Sequence, residues 1–481
     1  MNKNLVFNVT GRLMRVMALI LLLPMLVSLI YREKSFFAFL IVSIFSFGLG
    51  LILTTVTKKF TKTIYAKDGF VIVSLAWVVV SIIGALPFYV SGEVPSLIDA
   101  IFESASGFST TGASVIEDVE VLSHGILFWR SFTHWIGGMG VLVFMIAFVS
   151  SITDRSIHIL RAEMPGPIVG KITPRSKDTS KVLYLIYIVL TFVQIVLLWC
   201  GDMNLFESIV HTFGTAGTGG FGVKGDSIAS YSSYSQWVIT IFMFIFGINF
   251  NIFYLWILKR FKAALSSSEF WCYFSIVAVS IVLISFNISG LYPNISETVR
   301  TASFQVVSII STTGYTTANF DLWPTFSKSL ILLLMFLGAC AGATAGGLKI
   351  SRVMLIFKVI SKEFRRLIHP RSVSSVKLEG KEVDETTSRS VTTYLSLYII
   401  CILVIFLILS FVEPFDFETN FTAAVTCFNN VGPGFAGVGP ASNFAMYSGF
   451  SKLVLSFAML LGRLEIFPLL IAVIPSTWKK K

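Results

Sequence analysis

The sequence predicts an all-α polytopic membrane protein in which four pseudo-symmetric repeats surround a central axis, preceded by two extra N-terminal helices. Three observations predict this fold class: an apolar composition, an alternation of charge between successive connections, and a glycine turn that recurs four times. The 481 residues are 55% hydrophobic and 13% charged, and the mean hydropathy is +0.81. These values lie outside the range of soluble domains and indicate a chain that resides in a lipid bilayer.

The apolar segments are the first element of this prediction. A span needs about 20 apolar residues to cross the hydrocarbon core, and ten segments have roughly that length. The first segment is as long as a span and ends without a small-residue cleavage site, which favours a helix over a signal peptide. The ten segments cover residues 13–30, 36–56, 70–90, 126–150, 182–200, 237–258, 270–291, 330–345, 391–412 and 453–474.

The charged residues predict the orientation of these spans, because Lys and Arg are retained on the cytoplasmic side. The connections 91–125 and 412–451 contain acidic residues and no Lys or Arg. We therefore expect both termini to be cytoplasmic, and the net charge of +11 is explained by topology without nucleic acid as a partner. The basic connections contain Lys58, Lys59, Lys62 and Lys67; Arg155, Arg161, Lys171, Arg175, Lys177 and Lys181; and Lys259, Arg260 and Lys262, and the C-terminal tail contains Lys479, Lys480 and Lys481.

A short amphipathic helix followed by a glycine turn recurs in the non-basic connections. Each turn joins this short helix to the next long apolar helix, so the repeated unit is helix, short helix, turn and helix. The four turn glycines recur at intervals of roughly one hundred residues, which is the length of one such unit. The turns contain the segments Ser106–Ser114, His211–Phe221, Ser311–Tyr315 and Asn429–Gly434, and their glycines are Gly112, Gly220, Gly314 and Gly432.

The position of the turns within the membrane gives them a physical role. Non-helical backbone at membrane depth must be buried in protein or line a water-filled cavity, since unpaired peptide groups are costly in lipid. One such turn alone is more often an external loop, but four at matching positions predict a shared cavity, and hence a central pore. Glycine allows successive carbonyls to face a common axis, where they can replace the hydration shell of an alkali cation. The C-terminal ends of the short helices add negative potential at the same place.

These features resemble the TrkH/TrkG branch of the Trk/Ktr/HKT superfamily over essentially the whole chain. The Thr-Thr-Gly turns, the chain length, the two extra spans and the segment Leu461–Pro468 carry the resemblance. It implies potassium uptake across the bacterial inner membrane, with potassium as the only bound ion and no covalent cofactor. It also implies a homodimer with one pore per protomer, in contact with membrane lipids and with a cytosolic regulatory subunit of the TrkA type. A nucleotide, ATP/ADP or NAD, is expected on that partner alone.

The resemblance assigns potassium-binding filter residues to the four turns. In the second turn, Thr215-Ala216-Gly217 also fits the pattern, and the register at Gly220 is favoured because an aromatic residue follows it, as in the third turn. Gly219 and Val431 replace threonine, so selectivity for potassium over sodium is expected to be imperfect. The filter residues are Thr110, Thr111, Gly112 and Ala113; Thr218, Gly219, Gly220 and Phe221; Thr312, Thr313, Gly314 and Tyr315; and Asn430, Val431, Gly432 and Pro433.

The domain organisation follows from the repeats. We expect two extra helices in residues 1–68 and the first pore repeat in residues 69–155. The second pore repeat is expected in residues 180–262, and the third, with an intramembrane gating loop, in residues 269–368. A cytoplasmic connection in residues 369–388 then leads to the fourth repeat in residues 389–481. The basic segment 351–389 fits either a docking surface for the regulatory subunit or a loop beside anionic lipid head groups.

A second glycine-rich segment interrupts the third repeat where one long helix would otherwise run. A close helix-packing seam is one interpretation of such small residues. The resemblance instead implies an unwound loop below the filter that acts as a gate. Lys349 is then a gate residue or an anchor at the membrane boundary. The gate residues are Gly342, Ala343, Thr344, Ala345, Gly346, Gly347 and Lys349, together with Arg463.

Arg463 lies about ten residues into the last span, where an arginine needs a partner or water. Glu465, two positions later, faces another side of a helix, so Arg463 requires a different partner. A salt bridge to a neighbouring span is one alternative, and projection into the pore near the gating loop is what the resemblance implies. Arg130 is expected to snorkel or to brace the filter.

Other function classes are less consistent with the sequence. No HExxH, GxSxG or P-loop pattern occurs and the histidines are isolated, so we expect no catalytic residues and no enzyme activity. A secondary transporter that couples potassium entry to sodium or protons remains the alternative to passive, gated conduction. Proton coupling would require intramembrane carboxylates, and the spans contain almost none.

Overall fold

The computed structural model describes residues 2–58, 66–140, 176–370 and 375–478. Several predicted features lie outside the described residues: the end of the 126–150 span, the basic connection between Arg155 and Arg175, Lys59, Lys62 and the three C-terminal lysines. Within the described ranges the regular secondary structure is almost entirely helical, and the one sheet is a hairpin of two two-residue strands, Lys377–Leu378 and Lys381–Glu382. The predicted all-α polytopic architecture is confirmed.

The helices follow the predicted order of two leading spans and four units. The leading part comprises α1 (Lys3–Ile20), α2 (Leu22–Ile30) and α3 (Ser35–Val56). Unit one comprises α4 (Ala66–Val90), α5 (Leu97–Ser109) and α6 (His124–Gly138). Unit two comprises α7 (Ser176–Trp199), α8 (Leu205–Gly217), α9 (Ser233–Phe246) and α10 (Phe250–Ile257), with the short α11 (Phe261–Leu265) after it.

Units three and four repeat this arrangement. Unit three comprises α12 (Ser268–Asn287), α13 (Ile295–Ile310), α14 (Thr325–Phe336) and α15 (Ile350–Ile368). Unit four comprises α16 (Glu385–Val412), α17 (Phe417–Asn429), α18 (Gly449–Arg463) and α19 (Phe467–Val473). Short 3-10 helices lie at Phe320–Leu322, Ala436–Val438 and Pro475–Trp478.

Among the described residues, the structure has fewer continuous spans than the ten that the sequence predicts. Six helical stretches of the described residues are long and apolar enough to cross a membrane, and a seventh is a pair of helices bent by 90°. The predicted spans 237–258 and 453–474 were wrong as continuous helices, since they are interrupted after Phe246 and Arg463. The helix in 330–345 ends at Phe336, before the glycine-rich segment where the sequence predicted an interruption. In unit one, α6 ends at Gly138, close to the end of the described range.

Local chemistry explains these interruptions. In unit two, the side chain of Asn249 accepts a hydrogen bond from the Asn251 N–H at 2.9 Å and caps the new helix α10. In unit four, Glu465 and Ile466 have positive φ angles of 56° and 67°, and Pro468 lies in the first turn of α19. Average hydropathy does not register such breaks, because the residues around them remain apolar.

The short helices α5, α8, α13 and α17 form the centre of the protein, and most of their residues are buried. Close approach to these helices requires glycine at some positions of the surrounding spans. A Cβ atom on Gly137 of α6 would collide with the carbonyl oxygen of Phe108 and lie 2.8 Å from its carbonyl carbon. The end of α5 is thereby held directly against the end of α6.

We expect the substitution Gly137→Ala to destabilise the protein, because α5 and α6 must separate to accommodate the methyl group. Overpacking of this kind costs about 1–3 kcal/mol of unfolding free energy. Gly48→Ala on α3 is the matched control, since nothing lies within 4 Å of its added Cβ. Thermal unfolding in detergent measures both variants, and equal melting temperatures would show that this contact does not constrain the fold.

Candidate cation site and intramembrane loop

The four short helices end in the same hydrogen-bonded turn. In each, the N–H of the residue before the turn glycine donates to a carbonyl five positions earlier, at 2.9 Å in all four cases. The preceding N–H donates three positions back, which together is the Schellman motif that ends many helices. The donor and acceptor pairs of the longer bond are Thr111 and Ser106, Gly219 and Gly214, Thr313 and Ser308, and Val431 and Thr426.

The first residue of each turn adopts a left-handed backbone that glycine usually occupies. Its φ angle lies between 55° and 59° in all four turns, and the turn glycine two positions later has a φ of 80° or, for Gly432, 96°. For a β-branched residue such as threonine this conformation is an outlier that costs roughly 1–3 kcal/mol. The surrounding structure must therefore impose it. The residues concerned are Thr110, Thr218, Thr312 and Asn430.

The four turns close into a ring. A Cβ atom built on any turn glycine would collide with the carbonyl oxygen of the residue before the glycine of the next unit. For Gly432 this distance is 2.7 Å, to Thr111 of unit one, which completes the cycle. The other contacts join Gly112 to Gly219, Gly220 to Thr313 and Gly314 to Val431.

The backbone carbonyls in this ring accept no hydrogen bonds within the part of the chain that the structure describes. They belong to the first turn residue, the next residue and the glycine of every turn. Buried carbonyls in folded proteins are nearly always paired, and unpaired ones require an explanation. Rings of such oxygens are the ligands that replace the hydration shell of an alkali cation. The arrangement can therefore hold a dehydrated cation on the axis.

Side-chain oxygens add a layer at the first turn position. The hydroxyl of Thr110 and the amide oxygen of Asn430 are buried and have no hydrogen-bond partner. Thr218 donates to the Gly217 carbonyl at 2.6 Å, and Thr312 accepts a hydrogen bond from the N–H of Gly346 at 2.7 Å. Two buried side-chain oxygens of this layer are thus without a protein donor.

The backbone geometry also separates the two registers of the second turn. Thr215 and Gly217 lie within α8, whereas Thr218 and Gly220 have the positive φ angles of the other turns. The carbonyl of the residue after the glycine is hydrogen-bonded in the second turn, unlike the ring carbonyls. The Phe221 carbonyl accepts hydrogen bonds from the hydroxyls of Ser131 at 3.2 Å and Tyr315 at 3.0 Å.

In the third turn, the Tyr315 carbonyl likewise accepts a hydrogen bond, from the Ser308 hydroxyl at 2.6 Å. The carbonyls of Phe221 and Tyr315 are therefore both bonded to protein hydroxyls. No protein donor reaches the carbonyls of Ala113 and Pro433, the corresponding positions of the other two turns within the described residues.

The glycine-rich segment of unit three is an irregular loop between Phe336 and Ile350. Glu269 holds both ends of this loop, because one carboxylate oxygen accepts from the N–H of Ala341 at 2.7 Å and from that of Ser351 at 3.1 Å. The Gly342 carbonyl also accepts from the Phe250 N–H at 3.3 Å. The interpretation as a simple helix-packing seam does not describe this segment, since it is not helical.

The loop lies directly against the ring. Besides the bond from Gly346 to Thr312, a Cβ atom on Gly346 would lie 2.7 Å from the Asn429 carbonyl oxygen and 2.9 Å from the Asn430 amide oxygen. Gly346 therefore fits tightly beneath two of the four turns.

Two basic side chains, the buried Lys349 and the half-buried Arg463, hold carbonyls of this loop. Lys349 donates to Ala345 and, at 3.2 Å, to Gly346. Arg463 donates to Thr344 at 2.7 Å and to the α6 carbonyls of Gly137 at 2.6 Å and Gly138 at 2.9 Å.

Arg463 thus joins the loop to the end of α6. The predicted gate residues, except Thr344, line a cavity of about 70 Å³.

Several residues that the sequence analysis did not connect complete the site. Arg352 forms an ion pair with Glu465, so Glu465 has a partner other than its near neighbour Arg463. Glu269 gave no sequence signal, because it resembles an ordinary helix N-terminal carboxylate. Arg130 does brace a turn, and its partner is Glu103 of α5 at 2.6 Å.

The electrostatics of the short helices favour a cation at the ring. All four helices direct their C-terminal ends, and hence negative potential, towards the turns. Three of their opposite ends have side-chain caps, from Ser96 on α5, from a capping box of Asn204 and Glu207 on α8 and from Asp416 on α17. Hydrogen bonds from Thr419 hold the pKa of the Asp416 carboxyl below its ordinary value. That carboxylate remains charged at neutral pH, where it can complement the N-terminus.

Metal sites of the transition-metal type are not a competing explanation within the described residues, where no cluster of three His, Cys, Asp or Glu side chains could hold an ion. The donors at the ring are neutral carbonyl, hydroxyl and amide oxygens. This donor set suits a weakly bound monovalent cation, whereas divalent ions favour carboxylates.

Comparisons with known proteins agree with this geometry. Residues 33–480 match the model of a family described as TrkH, cation transport protein. The chain is 35% identical over 469 residues to the Trk system potassium uptake protein TrkH of Escherichia coli K12, covering 96% of each chain. It is 34% identical to the TrkG protein of the same strain, covering 98% of each. The crystal structure of the potassium transporter TrkH from Vibrio parahaemolyticus superposes with a TM-score of 0.90, at 31% identity and full coverage of both chains.

We expect potassium chloride to raise the melting temperature of the purified protein, since a ligand bound only by the folded state stabilises it. The gain is about 2.7 kcal/mol at one hundred times the dissociation constant. Gly314→Ala should abolish this gain, because its Cβ would collide with the Val431 carbonyl that lines the ring. Gly290→Ala, with nothing within 4 Å of its Cβ, should retain it, and a potassium response that survives Gly314→Ala would place the cation elsewhere.

Proposed function

This chain belongs to the TrkH family of cation transport proteins, and from that premise we propose that it takes up potassium through the ring of the four turns. It is a multi-pass membrane protein and a transporter, not an enzyme. The filter comprises the four turns from Thr110, Thr218, Thr312 and Asn430 onwards, each with its glycine. Relatives named as potassium uptake proteins support potassium as the transported ion.

One observation carries this proposal: buried backbone carbonyls from four units meet in a closed ring and accept no hydrogen bonds within the described residues. Unpaired carbonyls are costly in a membrane interior unless a cation or water compensates them. An ion that is held by neutral oxygens alone can also leave again, which conduction requires. The ring therefore suits transient rather than permanent occupancy.

The loop from Gly342 to Gly347 is proposed as the gate of this pathway. It contacts Thr312 and Asn430 from below, and its carbonyls are held by Lys349 and Arg463. Movement of the loop would exchange a few hydrogen bonds and would not require unfolding of a helix, so the two positions can differ by little in free energy. The structure corresponds to the closed position in this proposal.

Passive conduction is preferred over ion-coupled transport. Coupling to protons needs carboxylates that can exchange protons within the membrane. The buried carboxylates near the pathway have other roles, since Glu103 pairs with Arg130, Glu465 pairs with Arg352, and Glu269 holds the loop. These contacts give the three carboxylates structural roles and leave none of them placed as a member of a proton relay.

The assembly and location of the protein are part of the same proposal. We place it in the bacterial inner membrane as a homodimer with one pore per protomer, surrounded by lipid. A cytosolic TrkA-type subunit would bind the regulatory nucleotide and act on the loop from the cytoplasmic side. The name "Trk system", shared by the relatives, supports the existence of further components.

We expect this chain, expressed with a TrkA-type subunit, to restore growth at low potassium in cells that lack their own uptake systems. Gly314→Ser should remove this rescue or admit sodium, since a side chain at φ 80° beside the Val431 carbonyl distorts the ring. Gly290→Ser serves as the control, because the space around Gly290 is open. If the chain inserts in the membrane and the partner is present, yet growth is not rescued, the potassium assignment fails.

Arg463→Ala tests the gate separately from the filter. Loss of the guanidinium removes hydrogen bonds to Thr344, Gly137 and Gly138, so the loop should open more often. We expect potassium flux into proteoliposomes to rise by about tenfold, the factor for one lost charge-assisted hydrogen bond, with unchanged selectivity. An unchanged or lower flux would show that Arg463 does not hold the gate closed.

A further inference from the structure

A buried ion pair lies behind the ring at the boundary between units one and two. Glu103 of α5 has no exposed surface and Arg130 of α6 is 2% exposed. The carboxylate oxygen Oε1 of Glu103 accepts from the Arg130 Nε at 2.7 Å and lies 2.6 Å from its Nη2. Because burial of an ion pair seldom adds net stability, the geometry of these two charges points to a role other than stabilisation.

Glu103 holds the segment that follows the glycine of the first turn. Its carboxylate accepts from the Ser114 hydroxyl at 3.1 and 3.2 Å and from the Val115 N–H at 3.2 Å. Arg130 donates to the same hydroxyl at 3.2 Å. The backbone just beyond Gly112 is thus attached to two charged side chains that are themselves fixed by their mutual contact.

Arg130 extends this support to the second turn. Its guanidinium carbon lies 4.0 Å from the centre of the Phe221 ring, a cation–π distance. The ring of Phe221 also contacts His134, with ring centres 4.2 Å apart. One ion pair therefore positions the residues that follow the glycines of two neighbouring turns.

No corresponding ion pair lies behind the turns of the other three units, among the residues that the structure describes. Glu103 lies nine positions before its turn glycine, and the corresponding residues are His211, Gln305 and Ala423. His211 contacts the Tyr231 hydroxyl at 3.1 Å and Gln305 donates to the Ala318 carbonyl at 3.3 Å. The support behind the ring is consequently charged at one boundary and neutral elsewhere.

We propose that the Glu103–Arg130 pair is a positioning element that sets the selectivity of the ring for potassium over sodium. This inference rests on the proposed function. Sodium is smaller, so a ring that can contract accepts it more readily, whereas a ring held from behind retains the wider spacing. The pair contacts Ser114, Val115 and Phe221 but not the cation, so it acts through the position of the turns.

The experiment measures the ratio of potassium to sodium flux in proteoliposomes that contain the purified full chain together with its TrkA-type subunit. Glu103→Gln keeps the shape but removes the charge, and Arg130→Lys keeps the charge but removes the planar contact with Phe221. Each should lower the ratio by about tenfold, the factor for one charge-assisted hydrogen bond. Ser114→Ala, a milder change, should lower it by about threefold, mainly through increased sodium flux.

Asp99→Asn is the matched control, because Asp99 lies on the same helix α5 and pairs with Lys452 at 2.6 Å, at the end remote from the turn. It should leave the ratio unchanged. A general loss of stability would lower the flux of both ions and leave their ratio constant. If Glu103→Gln does not fold, Arg130→Lys and Ser114→Ala decide the question.

The outcomes separate this inference from the proposed function. No potassium flux in the unmodified protein, with its partner present, would overturn the proposed function itself. Normal potassium flux together with an unchanged ratio in the Arg130→Lys and Ser114→Ala variants would overturn only the role of the ion pair. A lowered ratio in these variants, but not in Asp99→Asn, would support it.

Discussion

The closure of four turns into one ring is the constraint on which the rest of the structure depends. No single turn can hold its own geometry, since each glycine has the carbonyl of the next unit against it and each first residue has an unfavourable φ. The short helices must therefore end at one point, and the surrounding spans must approach closely enough to keep them there. Gly137 of α6, packed against the Phe108 carbonyl, shows how this closeness excludes even a methyl group.

The polar groups around the ring have two different tasks. Behind the ring, the Glu103–Arg130 pair and the hydroxyls of Ser131 and Tyr315 fix residues that follow the glycines. Below it, Lys349 and Arg463 hold an irregular loop by its carbonyls. Support behind the ring consists of short contacts within the core, whereas the loop is held by hydrogen bonds between its backbone and side chains such as Glu269, Lys349 and Arg463.

Much of this arrangement could be predicted from particular residues. The four glycines at matching intervals indicated the turns, and the apolar segments indicated the leading helices and the four units. The small residues from Gly342 to Gly347 indicated an interruption in unit three. The breaks near Phe246 and Arg463 were not predicted, because their causes are one capping residue, Asn249, and two positive φ angles, which leave the hydropathy of the segments unchanged.

By itself, the sequence determined the membrane class, the number of units and the residues of the turns, since these depend on composition and on repeats along the chain. Only the tertiary structure decided which groups meet. Arg463 reaches Gly137, which lies 326 positions away in the chain, and Gly346 reaches Thr312, 34 positions away. Contacts of this kind arise from the packing of whole units, because a residue's own neighbours in the chain do not specify which distant carbonyl or carboxylate it will face.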